Sequence, residues 1–135
     1  MVDDVLLNRA DSIERSIARA QEEFEAAGDR LATDYTRQDA LVLNLLRACE
    51  TAIDMAMHVV RQDRLGVPQN SRDAFELLQV AGRIDPALAD AMKRMVGFRN
   101  VAVHNYRVLE MAIIEDIVRH RLDDFRAFIR RLLKA

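Results

Sequence analysis

Apolar residues recur every three or four positions along most of the chain, the period of an amphipathic helix. Between Val5 and Ala27, the positions Leu6, Ile13, Ile17, Ala20, Phe24 and Ala27 fall on one side, and Asp11, Glu14, Arg15, Arg19, Glu22 and Glu25 on the other. Gly28 is placed to stop this helix. A second helix is expected from Arg37 to Leu65, with Thr36 and Asp39 as a variant capping box in which Asp replaces the usual Glu or Gln. It is apolar nearly all round, through Leu41, Val42, Leu43, Leu45, Leu46, Cys49, Ile53, Val59 and Val60. Such a helix belongs at the centre of a bundle or against a second subunit. Gly66 and Pro68 end it.

A short third helix is expected from Ser71 to near Gly82, with Phe75, Leu78 and Val80 inward. Asp85-Pro86 pairs an N-cap with a proline in the first turn and opens a fourth helix, through Leu88, Ala91, Met92, Met95 and Val96 toward Asn100 or beyond. The last helix is expected from near Glu110 to Leu133, with Ile113, Ile114, Ile117, Leu122, Phe125, Phe128, Ile129 and Leu132 on its apolar side. There is no internal repeat or linker, and the connections are short. Long helices with short connections predict an all-α antiparallel bundle of about five helices, one domain over residues 1–135.

Composition narrows the function. The formal charge is −2, which argues against a general coat for duplex DNA but leaves a local nucleic-acid site open. Cys49 is the single cysteine, which excludes an intrachain disulfide and a structural thiolate zinc site; in its apolar run it reads as buried filler. Met55, Met57, Met92 and Met95 read as core filler too. The start, Met1-Val2-Asp3-Asp4, does not resemble a secretory leader, and no long uncharged apolar window reads as a membrane span. The expectation is a soluble, cytoplasmic protein that makes no membrane contact.

One stripe interrupts the second helix: Arg47, Glu50, Asp54, His58 and Arg61 share a face. Asp54 and His58 supply at most two close ligands, so no metal site is expected. The stripe reads as a polar seam toward the fourth helix or a dimer axis, where Glu50 or Asp54 orients Arg99. His120, between Arg119 and Arg121, reads as part of a solvated face. Arg126, Arg130, Arg131 and Lys134 make the chain's end basic, as a solvated face or as an extension of a nucleic-acid path.

Residues 91–109 contain no Asp or Glu but carry Lys93, Arg94, Arg99, His104 and Arg107. In a slightly acidic chain, this local positive region is suited to a phosphate-bearing ligand. A guanidinium matches phosphate oxygens, an imidazole moves protons near neutral pH, and Asn100 and Tyr106 add hydrogen-bonding groups. Such a set suits RNA cleavage without a metal or cofactor. His104 would exchange the proton of an attacking ribose 2′-hydroxyl, Arg99 would stabilise the growing phosphoryl charge, and Tyr106 would orient phosphate or stack on a base. On one straight helix, Arg99 and His104 are rotated by about 500°, which leaves them roughly 140° apart. They share a site if the helix ends or distorts between them, or if two copies of the segment face each other in a symmetric dimer. A non-catalytic module that binds RNA, nucleotide or a nucleotidyltransferase subunit is the alternative.

The order Arg99, four residues, His104, one residue, Tyr106, inside Gly97-Phe98-Arg99-Asn100…Val103-His104-Asn105-Tyr106, resembles the HepT-like branch of the HEPN superfamily. The resemblance extends over nearly the whole chain, from the helix with Glu50, Asp54 and His58 through Pro68 to the terminal helix. It implies a helical bundle that forms a homodimer and acts as the metal-independent endoribonuclease toxin of a toxin–antitoxin pair. The implied partner is an MntA-like nucleotidyltransferase antitoxin, which silences the toxin by adding AMP to the motif tyrosine. Arg99 and His104 correspond to the family's catalytic pair, Asn100 to the polar residue after the arginine, and Tyr106 to the modified tyrosine.

Overall fold

The structure is a computed structural model that describes residues 3–134; Met1, Val2 and Ala135, and with them the start of the stretch read above for a leader, lie outside it. Among the described residues all regular structure is helical: α1 (Asp4–Ala27), α2 (Tyr35–Gln62), α3 (Ser71–Val80), α4 (Pro86–His104), α5 (Met111–Asp116) and α6 (Leu122–Leu133). A π-helical turn over Ile117–Arg121 joins α5 to α6 without a break, so the two form the fifth helix that periodicity predicts. Among the described residues no helix is long and apolar enough to cross a membrane.

Side-chain oxygens set the helix starts. Asp3 accepts from the Val5 N–H, Asp34 from Arg37, Asn70 from Asp73 and Asp85 from Leu88, satisfying donors that a first turn leaves without carbonyl partners. The cap of α2 is therefore Asp34, and the expected Thr36–Asp39 box does not form. Thr36 lies inside the first turn and Asp39 turns elsewhere, as described below. α1 ends as expected at Gly28, whose φ of +58° is a conformation that side-chain-bearing residues rarely adopt.

α1 and α2 pack along their lengths, and α3, α4 and α6 close over α2. The core is one cluster. Ile13 and Ile17 of α1, Leu41, Leu45 and Met55 of α2, Phe75 and Leu78 of α3, Met92 of α4 and Phe125 and Phe128 of α6 are all fully buried. Phe75 and Phe128 meet edge-on with ring centroids 5.4 Å apart. Met55, Met92 and Met95 fill this core, and Met57 packs against it partly buried. Cys49 is buried too; burial, aided by the Glu50 charge, pushes its thiol up to about 12.

Three apolar positions depart from the expected pattern. Val80 is 76% exposed, because it is the last residue of α3, where the chain turns away toward Gly82. Leu43 and Ile113 lie on the outer faces of α2 and α5. The helix expected to be apolar nearly all round thus keeps an exposed side, where Arg47, Asp54 and Arg61 of its polar stripe also lie.

Candidate functional site

α4 carries the site. Asp85 and Pro86 start it, and Met92, Met95, Val96 and Phe98 bury its inner face, which fixes its rotation about its own axis. That rotation directs Arg99 at α2. The Arg99 Nε donates to Glu50 Oε1 at 2.5 Å, Nη2 reaches Oε2 at 3.5 Å, and Nη1 donates to Asn100 Oδ1 at 2.9 Å. The guanidinium is half-buried and held from two sides, yet Nη1 and Nη2 keep N–H groups beyond these bonds for a phosphate oxygen.

Glu50 is thus the carboxylate that orients Arg99. Asp54, the other candidate, is exposed and makes no hydrogen bond among the described residues. His58 departs further from the expected seam: its Nε2 lies 2.7 Å from Asp3 Oδ2, which ties α2 to the cap of α1. Among the described residues no group of three or more His, Cys, Asp or Glu is placed to hold a metal ion.

α4 continues without distortion through His104, its last residue. The arrangement in which the helix ends between Arg99 and His104 is therefore not the one the chain adopts. The two residues stay roughly 140° apart about the axis and about 7.5 Å along it. His104 is exposed and makes no hydrogen bond among the described residues. Asn105 then leaves helical geometry, its N–H capping Val101 O at 2.8 Å, and a tight turn over Tyr106–Val108 follows.

That turn brings Tyr106 back against the start of α2. Its phenol donates to Asp39 Oδ1 at 2.6 Å, while the ring stays 40% exposed. Partial burial, together with the Asp39 carboxylate, pushes the phenol up to about 12, so it is protonated at neutral pH. Nothing in the sequence marks Asp39 as Tyr106's partner, since 67 positions separate them.

The remaining cations of the stretch have different neighbours. Lys93 is bound to Glu76 of α3, and Arg107 is exposed in the turn. Arg94 lines a groove of about 400 Å³ between α4 and the segment 108–124, with Phe98, Val101, Leu109, Asp116 and Asp124. There Asp124 Oδ2 is buried with no hydrogen-bond partner among the described residues, and burial raises that carboxyl above its usual range. His120 is exposed, consistent with a solvated face.

The family model for ribonuclease HepT-like proteins matches residues 13–132 of the chain, which includes every element of this site except its N-terminal tie to Asp3. The chain belongs to the HepT-like ribonuclease family. It is 44% identical over 128 residues to the mRNA nuclease HepT of Shewanella oneidensis, an alignment covering 95% of this chain and 96% of that protein. Its fold superposes with a TM-score of 0.91 on the tri-AMPylated Shewanella oneidensis HEPN toxin in complex with its MNT antitoxin, at 42% identity and covering 96% of this chain and 97% of that one. A crystal structure of a toxin–antitoxin with AMP-PNP matches equally, at TM-score 0.91 and 42% identity, covering 96% of this chain and 98% of that one. In this HepT-like chain the segment from Arg99 to Tyr106 occupies the last turns of α4 and the turn after it, with Glu50 of α2 behind the arginine and Asp39 behind the tyrosine.

Proposed function

We propose that the chain is a metal-independent endoribonuclease toxin, cytoplasmic and working as a single 135-residue domain in a homodimer. Its partner is an MntA-like nucleotidyltransferase antitoxin that silences it by transferring AMP to Tyr106. The observation that carries the nuclease reading is the Arg99 guanidinium, held by Glu50 and Asn100 with N–H groups to spare, on the helix that ends at an exposed His104. Family membership and the similarity to a named mRNA nuclease support the same reading.

The chemistry follows from the groups. A ribose 2′-oxygen attacks the adjacent phosphorus, and the bond to the 5′-oxygen of the next nucleotide breaks. His104 takes the 2′-hydroxyl proton, and an imidazole returns a proton to the leaving oxygen. Arg99 donates to the phosphoryl oxygens as charge builds on them. Because α4 keeps the two groups on different sides of one helix, the guanidinium and imidazole that act on one phosphodiester come from facing copies of α4 in the dimer. Arg94 and Arg107 add positive potential along the path of the strand, while Lys93, also on α4, is already paired with Glu76. AMP on Tyr106 places bulk and negative charge on the path of the strand and excludes RNA.

The test is cleavage of single-stranded RNA by purified protein with EDTA present. The parent chain cuts, whereas Arg99→Ala and His104→Ala each lose at least about a hundredfold in rate with helicity intact. Equal cleavage by His104→Ala overturns the assignment. RNA binding without product from the parent chain favours the non-catalytic module, a reading consistent with the ion pair that already occupies part of Arg99.

A further inference from the structure

The hydrogen bond between Tyr106 and Asp39 has no role in RNA cleavage as derived above. The turn over Tyr106–Val108 is exposed, and its tyrosine reaches back 67 residues to a carboxylate on the first turns of α2. We propose that Asp39 is the proton acceptor for nucleotide transfer to Tyr106: the toxin carries, in its own α2, the base that activates its own modification site. This rests on the reading of Tyr106 as the site of AMP addition.

Tyrosine is a poor nucleophile while its proton remains. A carboxylate within hydrogen-bonding distance of the reacting oxygen meets the geometric requirement for a general base. Asp39 Oδ1 lies 2.6 Å from the Tyr106 Oη and already accepts its hydrogen bond in the resting chain. With the phenol pushed up to about 12, almost none of it is phenolate near neutral pH, so transfer that waited for free phenolate would be slow.

In the step itself, the Tyr106 Oη attacks the α-phosphorus of ATP held by the nucleotidyltransferase. The Oη–P bond forms, the bond from the α-phosphorus to the bridging oxygen breaks, and pyrophosphate leaves with that electron pair. The phenolic proton passes to Asp39 Oδ1 as the oxygen loses basicity, and from there to solvent. No other reactant is required.

The same contact explains a choice between tyrosines. Tyr35 is 68% exposed, more open than Tyr106 at 40%, so access alone favours Tyr35. Among the described residues no carboxylate accepts from the Tyr35 phenol. Selection by a resident base gives the opposite preference to selection by exposure.

The experiment measures AMP incorporation at Tyr106 by mass spectrometry, with the chain, its partner nucleotidyltransferase and ATP, between about pH 6 and 9. It compares the parent with Asp39→Asn and Asp39→Glu. Asn keeps a hydrogen-bond acceptor of the same size and removes the base. The expected result is a loss of about a hundredfold in the transfer rate of Asp39→Asn near neutral pH, recovering by up to about tenfold per pH unit as phenolate forms, with partial rescue by Asp39→Glu. RNA cleavage by unmodified Asp39→Asn stays at the parent's level, which shows that the variant is folded. Transfer to Asp39→Asn at the parent's rate and pH profile overturns the proposal. So does a uniform loss with no recovery at high pH, which assigns Asp39 to holding the ring alone. Absence of label at Tyr106 in the parent overturns the modification reading itself, and is told apart because it appears before any variant is made.

Discussion

Arg99 is held by two acceptors of different kinds, the Glu50 carboxylate and the Asn100 carbonyl. The Glu50 and Arg99 side chains are 43% and 27% exposed, so water screens their attraction, and the pair contributes about 1 kcal/mol or less to folding. Its effect is on orientation. Glu50→Ala is expected to shift the urea midpoint only slightly while lowering the RNA cleavage rate by about tenfold or more, because the guanidinium loses its aim. A large stability loss with unchanged cleavage per folded molecule would show the pair to be structural. Cys49, one position away, has a simpler fate. Its buried thiol, raised to about 12, is expected to resist iodoacetamide in the native protein and to react on unfolding in urea. Rapid alkylation of native protein would contradict its burial. That Cys49 is buried was readable from its apolar run, and helical spacing narrowed the partner of Arg99 to Glu50 or Asp54; the choice of Glu50 needed the packing of α4 on α2. The pairing of Asp39 with Tyr106 and of Asp3 with His58 was not readable, since each joins residues that only tertiary packing brings together.

At the scale of the element, α4 shows how much local chemistry can determine. Asp85 and Pro86 mark its start in sequence, and both occupy the predicted capping positions. Its end was harder to read. No glycine or proline stands between Arg99 and His104, and the helix uses that freedom to run through both. The start of α2 misled for a different reason: Asp34 and Thr36 are both capable caps, and Asp34 takes the position because its carboxylate reaches the Arg37 N–H, whose side chain also pairs with Glu23 of α1 at 2.9 Å. Asp85→Ala is expected to cost about 1 kcal/mol in urea denaturation, the ordinary loss of an N-cap. It should reduce cleavage only through the fraction unfolded, because the inner face of α4 still sets the direction of Arg99. A cost near zero would mean that water replaces the cap completely.

At the scale of the molecule, one core serves all the helices, and the edge-on pair of Phe75 and Phe128 joins α3 to the terminal helix at its centre. Phe128→Ala is expected to destabilise by about 3–5 kcal/mol, measured by calorimetry or denaturant, since the cavity opens beneath several helices at once. The antiparallel bundle itself was legible because apolar periodicity, caps and short connections agree along the chain. The assembly was not, because exposed apolar residues such as Val101, Val103, Val108 and Ile113 have the same pattern whether they face solvent or a second copy.

The measurement that decides the most is therefore made on mixed chains. Arg99→Ala and His104→Ala proteins, each inactive alone, are unfolded together, refolded and assayed on single-stranded RNA with chelator present. If facing copies of α4 supply the guanidinium and the imidazole to one phosphodiester, the mixture regains a substantial fraction of the parent rate. In each mixed dimer one pairing then has both groups intact. A mixture as inactive as its components, with mixed dimers verified by mass, would contradict convergence across two copies.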